Sequence, residues 1–389
     1  MLSGAALENL VDAVALTCRS GLDADALRNE VLPRIRRVVP IDALWWASAD
    51  PATLLFTRAH REELPQESGP YFVENEFLHR DVNKWAELAG DPVGVRTLMQ
   101  ATGGQPGRSD RYRDIFAPMG LQDEMRAVLR VDGACWGYVC LHRETAKAVF
   151  SPQEARFIQR VAPYLAEGLR MGLLRKACEL EDPAGAPGLV IRSADGELGG
   201  MNEAAGGWLA ELGGYPDGSD LPVEIVALAT RLRYPRAAHV ALPRLRVRTR
   251  SRGWVILHAS WMSSDPQGAI AVIIEPAGAA EVAPLIMTAY GLTGREQTIA
   301  ALVCQGLSTR QIADRLHLTA DTVQDHLKSV FTRTGVHSRG ELVATIWRHE
   351  YAPHILADDP INRSGSFTDA SLDRPRQERT PPHAPLHPR

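Results

Sequence analysis

Between Thr293 and Glu341 the chain three times places a Ser or Thr three residues ahead of a Glu or Gln: Thr293 with Glu296, Ser308 with Gln311, and Ser338 with Glu341. In such a capping box each side chain bonds the other residue's backbone amide, satisfying donors that a helix start otherwise leaves bare. One match means little, because short patterns recur by chance. Three of them, interleaved with Gly306 and Gly335 where helices must stop, specify a bundle of short helices. The spacing predicts helices over 293–305, 308–316, 320–334 and 338–348. Only a few residues around His317 to Thr319 join the middle pair, so they cross steeply as a helix-turn-helix.

Ile312, Ala313 and Leu316 are expected to meet Val323, Leu327, Val330 and Phe331 across that turn. Ile299, Leu302, Val303, Leu342, Val343 and Ile346 would close the small core. At about 100° per residue, Val323, Leu327 and Val330 share one face of the third helix. Asp321, Asp325, Lys328 and Thr332 cluster opposite, with Gln324 at the edge and Ser329 and Arg333 flanking. A polar ridge fixed from behind in this way fits the major groove of B-form DNA. The competing reading is a face that is simply solvated, which would be the better one for an isolated amphipathic helix.

The run from Leu292 to Val343 strongly resembles the LuxR-type DNA-binding domain. The resemblance is carried by Leu292-Thr293-x-Arg295-Glu296, Gly306-x-Ser308, Ile312-Ala313, Thr322-Val323-x-x-His326 and Gly335-Val336-x-x-Arg339. It implies a four-helix fold at 285–350 whose third helix enters the major groove of double-stranded DNA, usually as a homodimer using the fourth helix. Carried over by position, base-reading sites fall on Gln324, Asp325 and Lys328. Phosphate contacts fall on Thr309, Arg310, Thr322, Arg333 and Arg339. Two departures stand out: Gln324 replaces a common Lys, and Asp325 brings negative charge toward phosphates. Asp325 could accept from cytosine N4, and Gln324 suits adenine. Basic residues in the block barely outnumber acidic ones, so weak non-specific binding is expected.

Upstream, 5–19 and 24–37 read as amphipathic helices. "ALWWASADPATLLFTRAHR" reads as two strands with a turn at Asp50-Pro51, followed by a loop-rich, mostly helical stretch to about 119. "DEMRAVLRVDGACWGYVCLHRE" is a hairpin turning on Asp132-Gly133. A helix capped by Ser151 and Glu154 follows, with Pro163 straining its continuity. With "FLHRDVNKWAELA", "RSDRYRDIFAPMGLQDEMRAVL" and "FSPQEARFIQRVAPYLAEGLR", this region (20–176) resembles a GAF sensor domain of α/β fold. After a linker at 181–188, the α+β unit 188–277, with "ADGELGGMNEAA", resembles a degenerate PAS domain. The tail, 352–389, is Pro- and charge-rich and is expected to be disordered.

Trp45, Trp46, Trp136 and Tyr138 alternate on presumed strands and are read as core. His142 and His258 have no second His or carboxylate at ligand spacing along the chain, so no metal is expected. Cys135 and Cys140 lie five apart on one strand, hence on opposite faces, and are read with the other three cysteines as buried thiols. The net charge of −4 excludes a chain-wide polyanion binder. No phosphate loop, nucleophile elbow or receiver-type acidic pair appears, so no enzyme, cofactor or phosphorelay is expected. Without a membrane-length apolar run or a signal sequence, a cytoplasmic protein is expected.

The sequence therefore points to a multidomain α+β DNA-binding regulator. It would be governed by a small-molecule effector or protein partner at the sensor region, with RNA polymerase a further candidate partner. A sequestering sensor and a sigma-factor-like protein are the alternatives.

Overall fold

The computed structural model describes residues 4–65, 68–177, 185–215, 220–233, 244–251, 253–262 and 268–346. The expected tail, and half of the linker at 181–188, lie outside these residues.

Two helices, α1 (Gly4–Cys18) and α2 (Ala24–Arg36), precede strands β1 (Ala43–Ala49) and β2 (Phe56–Glu62). Then come α3 (Ser68–Leu78), α4 (Trp85–Gly90), the short strand β3 (Val95–Thr97), α5 (Leu98–Thr102) and a π-helical turn at Tyr112–Phe116. The hairpin pairs β4 (Leu121–Val131) with β5 (Ala134–Glu144). Asp132 and Gly133 at its turn have φ of 51° and 77°, the positive values a two-residue hairpin turn needs. Helix α6 (Pro152–Ala177) begins in the Ser151–Glu154 capping box and runs unbroken through Pro163. Pro163 and Gln159 both face solvent, so the carbonyl freed by the missing amide is open to water.

The first sheet has the order β2-β1-β5-β4-β3, antiparallel throughout. Leu44, Trp46, Val139 and Leu141 pack under α1, α2 and α6, while Trp45, Tyr138 and Cys140 point to the other face. The cysteine expectation fails here for a local reason. Leu129 pairs with Gly137 but Arg130 with Cys135, so a bulge adds one residue to β5 and resets the alternation. Cys135 and Cys140 consequently join the same cluster. Gly137 is required at that point: a Cβ there would lie 2.5 Å from the Ala47 carbonyl oxygen and 2.9 Å from Leu169.

A second sheet is built from β6 (Gly188–Arg192), β7 (Leu198–Met201), β8 (Arg244–Arg248), β9 (Trp254–Trp261) and β10 (Ile270–Pro276). Its order, β7-β6-β10-β9-β8, repeats that of the first sheet strand for strand. Helices α7 (Glu203–Leu212) and α8 (Val223–Leu232) belong to this unit, and α8 also packs on α3 and β2. One apolar cluster is therefore continuous from the outer face of the first sheet into the second. Arg246 on β8 also clamps Asp50 with two bonds of 2.6 and 2.8 Å, and Asp50 is buried.

Helix α9 (Ala279–Ala289) lies against α6 and leads into the carboxy-terminal bundle. That bundle comprises α10 (Gly294–Cys304), α11 (Thr309–Leu316), α12 (Ala320–Thr334) and α13, described over 339–346. Its core is the predicted one, with Ile299, Leu302, Ile312, Val323, Leu327, Val330 and Leu342 buried together.

Candidate nucleic-acid interface

Each helix of the bundle is positioned by its cap. Thr293 and Glu296 form a complete box at the start of α10, and Ser308 with Gln311 does the same for α11. The third predicted box forms only in half. The Glu341 amide donates to Ser338 Oγ at 3.1 Å, but the Glu341 carboxylate accepts from the His337 amide rather than that of Ser338. A cap not singled out from the sequence, Thr319, accepts from the Thr322 amide at 3.1 Å and starts α12. Loss of such a cap typically costs about 1 kcal/mol, so the four starts fix the bundle's geometry firmly. Between α11 and α12, His317 takes a left-handed conformation with φ 55°, and Gly335 ends α12 with φ 71°.

Gln324, Asp325 and Lys328 are all exposed on α12, opposite the buried Val323, Leu327 and Val330. Lys328 Nζ reaches Asp325 Oδ1 at 3.0 Å, an exposed pair one turn apart. Arg310 is exposed at the start of α11, and Thr322 is half-buried with its hydroxyl 2.8 Å from that of Thr319.

The remaining three predicted positions have structural partners. Arg339 donates to the Leu307 carbonyl at 2.7 Å and to Thr309 Oγ1 at 2.9 Å, so it braces α13 against the start of α11. Arg333 donates to the Gly291 carbonyl at 2.8 Å and stands 3.8 Å from the Glu296 carboxylate. Ser329, placed on the polar flank by the helical wheel, turns inward to the same carboxylate. Burial disfavours ionisation of Glu296, but its bonds from Ser329 and Thr293 and the nearby Arg333 hold it below the usual carboxylate range.

The sensor region contains an ionic network that its sequence did not disclose. Glu124 on β4 accepts from Arg111 at 2.6 Å and from Arg126 at 3.0 Å, and Arg126 also reaches Glu76 at 2.7 Å. Asp81 lies 3.7 Å from Arg111, and the Lys84 ammonium donates to the carbonyls of Asn75 and Glu76. All six charged groups are buried. The Arg126 guanidinium lies 4.4 Å from the centroid of Trp85 and 5.1 Å from that of Phe72. Burial opposes ionisation of Glu124, yet its two guanidiniums hold it far below the usual carboxylate range.

Cross-strand register sets Glu124 opposite His142 and Arg126 opposite Cys140, a proximity that spacing along the chain did not disclose. Glu124, Cys140 and His142 come together on one face, yet the donor set does not suit a cation. The carboxylate is engaged by two arginines, and burial pushes the Cys140 thiol far above its ordinary value, keeping its proton. That thiol donates to Glu124 at 2.8 Å. His142 packs on Phe116, with ring centroids 4.5 Å apart. The four predicted aromatic residues are buried as expected, and His258 pairs with Glu275 at 3.1 Å.

Comparison with known proteins agrees with this geometry. Residues 291–346 match the family model described as bacterial regulatory proteins, luxR family, and residues 7–169 match the GAF domain. The monoamine regulon transcriptional regulator of Klebsiella aerogenes is 39% identical over 56 residues, 14% of this chain and 25% of that protein. The nitrate/nitrite response regulator protein NarL of Escherichia coli strain K12 is 41% identical over 59 residues, 15% of this chain and 26% of that one. The match thus spans about a quarter of these relatives. A crystal structure of Escherichia coli SdiA aligns over 90% of this chain and 98% of its own at 11% identity, but its TM-score of 0.30 is too low to build on. The chain therefore carries a LuxR-type helix-turn-helix domain behind an amino-terminal GAF domain. Among the described residues no helix is long and apolar enough to cross a membrane.

Proposed function

We propose that this chain is a transcriptional regulator that reads duplex DNA with α12 under control of a signal at its sensor units. The observation that carries this reading is the exposed ridge of Gln324, Asp325 and Lys328, backed by a buried Val323–Leu327–Val330 seam and started by the Thr319 cap. In this reading Gln324 and Asp325 contact base edges, while Lys328, Arg310, Thr309 and Thr322 position the backbone. Arg333 and Arg339 contribute only where their present partners are exchanged for phosphate. Two copies would place two α12 helices on half-sites about one helical turn apart, and the proposal extends to a cytoplasmic dimer that works with RNA polymerase. The domain limits we adopt are 20–176, 188–277 and 285–350. The repeated strand order of the second sheet supports a PAS-like assignment for 188–277.

Selection from randomised duplexes, followed by fluorescence anisotropy on the enriched site, tests the reading. Lys328→Ala should weaken binding to all sequences, and Gln324→Ala should relax one base pair by about 1–3 kcal/mol. A purified chain that enriches no sequence, with or without cell extract, would sink the proposal.

A further inference from the structure

A cleft of about 1010 Å³ opens between the two sheet units, walled by α3 and the π-helical turn on one side and by β6, β7 and α8 on the other. The Arg246–Asp50 clamp and the packing of α8 on α3 and β2 hold its walls together. Five arginines line it: Arg58, which pairs with Asp25, and Arg61, which has a partner of its own, from the first unit, and Arg192, Arg233 and Arg250 from the second, where Arg250 donates to the Ala210 carbonyl at 3.4 Å. Arg192 donates through Nε and Nη2 to the Gly196 carbonyl at 3.0 and 2.5 Å. Arg233 donates to the carbonyls of Ala194 and Ser193 at 2.8 and 2.9 Å. Both are thus fixed by one tight turn, residues 193–196, and neither forms an ion pair among the described residues. Each guanidinium carries five N–H donors, so several remain for a ligand.

The carboxylates along the cleft act on these arginines from beyond ion-pair distance. Asp195 is engaged by the Ser193 hydroxyl and the Glu197 amide, and Glu74 stands 3.8 Å from His79. Glu197 is exposed, and Asp220 has a partner of its own. Burial pushes Glu224 up to about 8, so at neutral pH it is largely uncharged. Two like charges on one half-buried wall are costly unless an anion comes between them, and Arg192 is depressed by burial and then by Arg233, with Glu197 and Glu74 offsetting this only in part.

A second, independent feature lies in the same cleft. His142 is 1% exposed, lines the cavity, and has no hydrogen-bond partner on either ring nitrogen. Burial lowers it to about 4, so it is a neutral imidazole, able to donate at one nitrogen and accept at the other. Phe72, Phe116 and Trp45 line the cleft beside it. Buried polar atoms without partners are uncommon and call for an account.

We propose that this cleft binds a small organic anion with an apolar or aromatic body, its charged group taken by Arg192 and Arg233 and a polar group on its body bonded to His142. This deepens the sensor reading above and rests on it only in calling the occupant an effector. The binding itself is measured without DNA, so the two can fail separately.

The test uses the full chain and 8-anilinonaphthalene-1-sulfonate, an aromatic anion, with neutral N-phenyl-1-naphthylamine as its uncharged counterpart. Fluorescence titration should give one saturable sulfonate site per chain. Arg192→Gln/Arg233→Gln should weaken it about tenfold or more, leaving the neutral probe within about twofold. His142→Phe should weaken both probes less than the double variant weakens the sulfonate. Equal sulfonate affinity in the native chain and the double variant, or equal loss of both probes in a variant with native circular dichroism, overturns the proposal. Should the double variant not fold, phenylglyoxal labelling of the native chain decides: saturating sulfonate should protect Arg192 and Arg233, and unprotected arginines would refute the site.

Discussion

Replacing Asp325 by Asn should make binding to random-sequence duplex, where no base contact is lost, tighter at low salt and more sensitive to salt. In the structure Asp325 takes one turn of Lys328's charge, at 3.0 Å, with both side chains about three-quarters exposed. Such a surface pair contributes about 0–1 kcal/mol to folding, so the substitution should leave stability almost unchanged. Its effect at a phosphate backbone is larger. A lysine freed of its carboxylate neutralises one more phosphate, which steepens the slope of log affinity against log salt by about 0.9 per protomer, or about 1.8 for a dimer. Between 50 and 200 mM salt the variant should then lose roughly tenfold more affinity than the native chain does. Anisotropy of a labelled random-sequence duplex, titrated at four salt concentrations, reads both slopes, and Lys328→Ala provides the opposite control with a shallower line. Parallel lines for native and Asp325→Asn would refute the reasoning, because they would mean Asp325 does not shield Lys328 at the interface.

Three further outcomes are expected. Glu124→Gln leaves an unmatched buried guanidinium and should cost about 3–5 kcal/mol in urea denaturation, and a cost below about 1 kcal/mol would show the network is not the dry ionic cluster described. Burial lowers the Lys84 ammonium to about 8, so between that pH and the ordinary lysine value the unfolded chain binds more protons and stability should rise with pH, by at most about 3 kcal/mol. Cys18 and Cys135, whose thiols burial pushes up to about 12 and 11, act in the opposite direction above pH 9, so the measurement is the difference between the native chain and Lys84→Met. Arg339→Ala should lower the melting stability of the bundle by about 1–2 kcal/mol through loss of its two bonds to the α11 start. Unchanged stability with weakened DNA binding would instead make Arg339 a phosphate contact.

The features that the sequence discloses are those encoded within a few residues. Capping boxes, the Asp132-Gly133 turn and the Val323–Leu327–Val330 stripe each depend on neighbours one helical turn or one hairpin away, and all are found where the pattern places them except half of the Ser338–Glu341 box. What escaped depends on register or on distant chain. A single bulge at Gly137 returned Cys135 to the face that alternation had denied it. Glu124 met His142 only because β4 and β5 pair in that register, and Arg111 joined them from a turn thirteen residues upstream of Glu124. Of the candidate reading residues, Gln324, Asp325 and Lys328 stand outward as helical geometry requires. The bonds that Arg333 and Arg339 make to the carbonyls of Gly291 and Leu307 were not legible, since backbone acceptors leave no trace in residue types.

Gly291 marks the junction between sensor and reader. It sits at φ 75°, and a Cβ there would come within 3.3–3.4 Å of Arg333, Arg170 and Asp132. Arg333 rides on the last turn of α12, and Asp132, paired with Arg170, forms the tip of the first unit's hairpin. The neck of the molecule is thus a three-way knuckle in which hairpin, long helix and reading helix share one crowded point. Any side chain placed at position 291 would press on all three at once and in a left-handed backbone conformation, so the joint between the two parts of the chain is built around the absence of one.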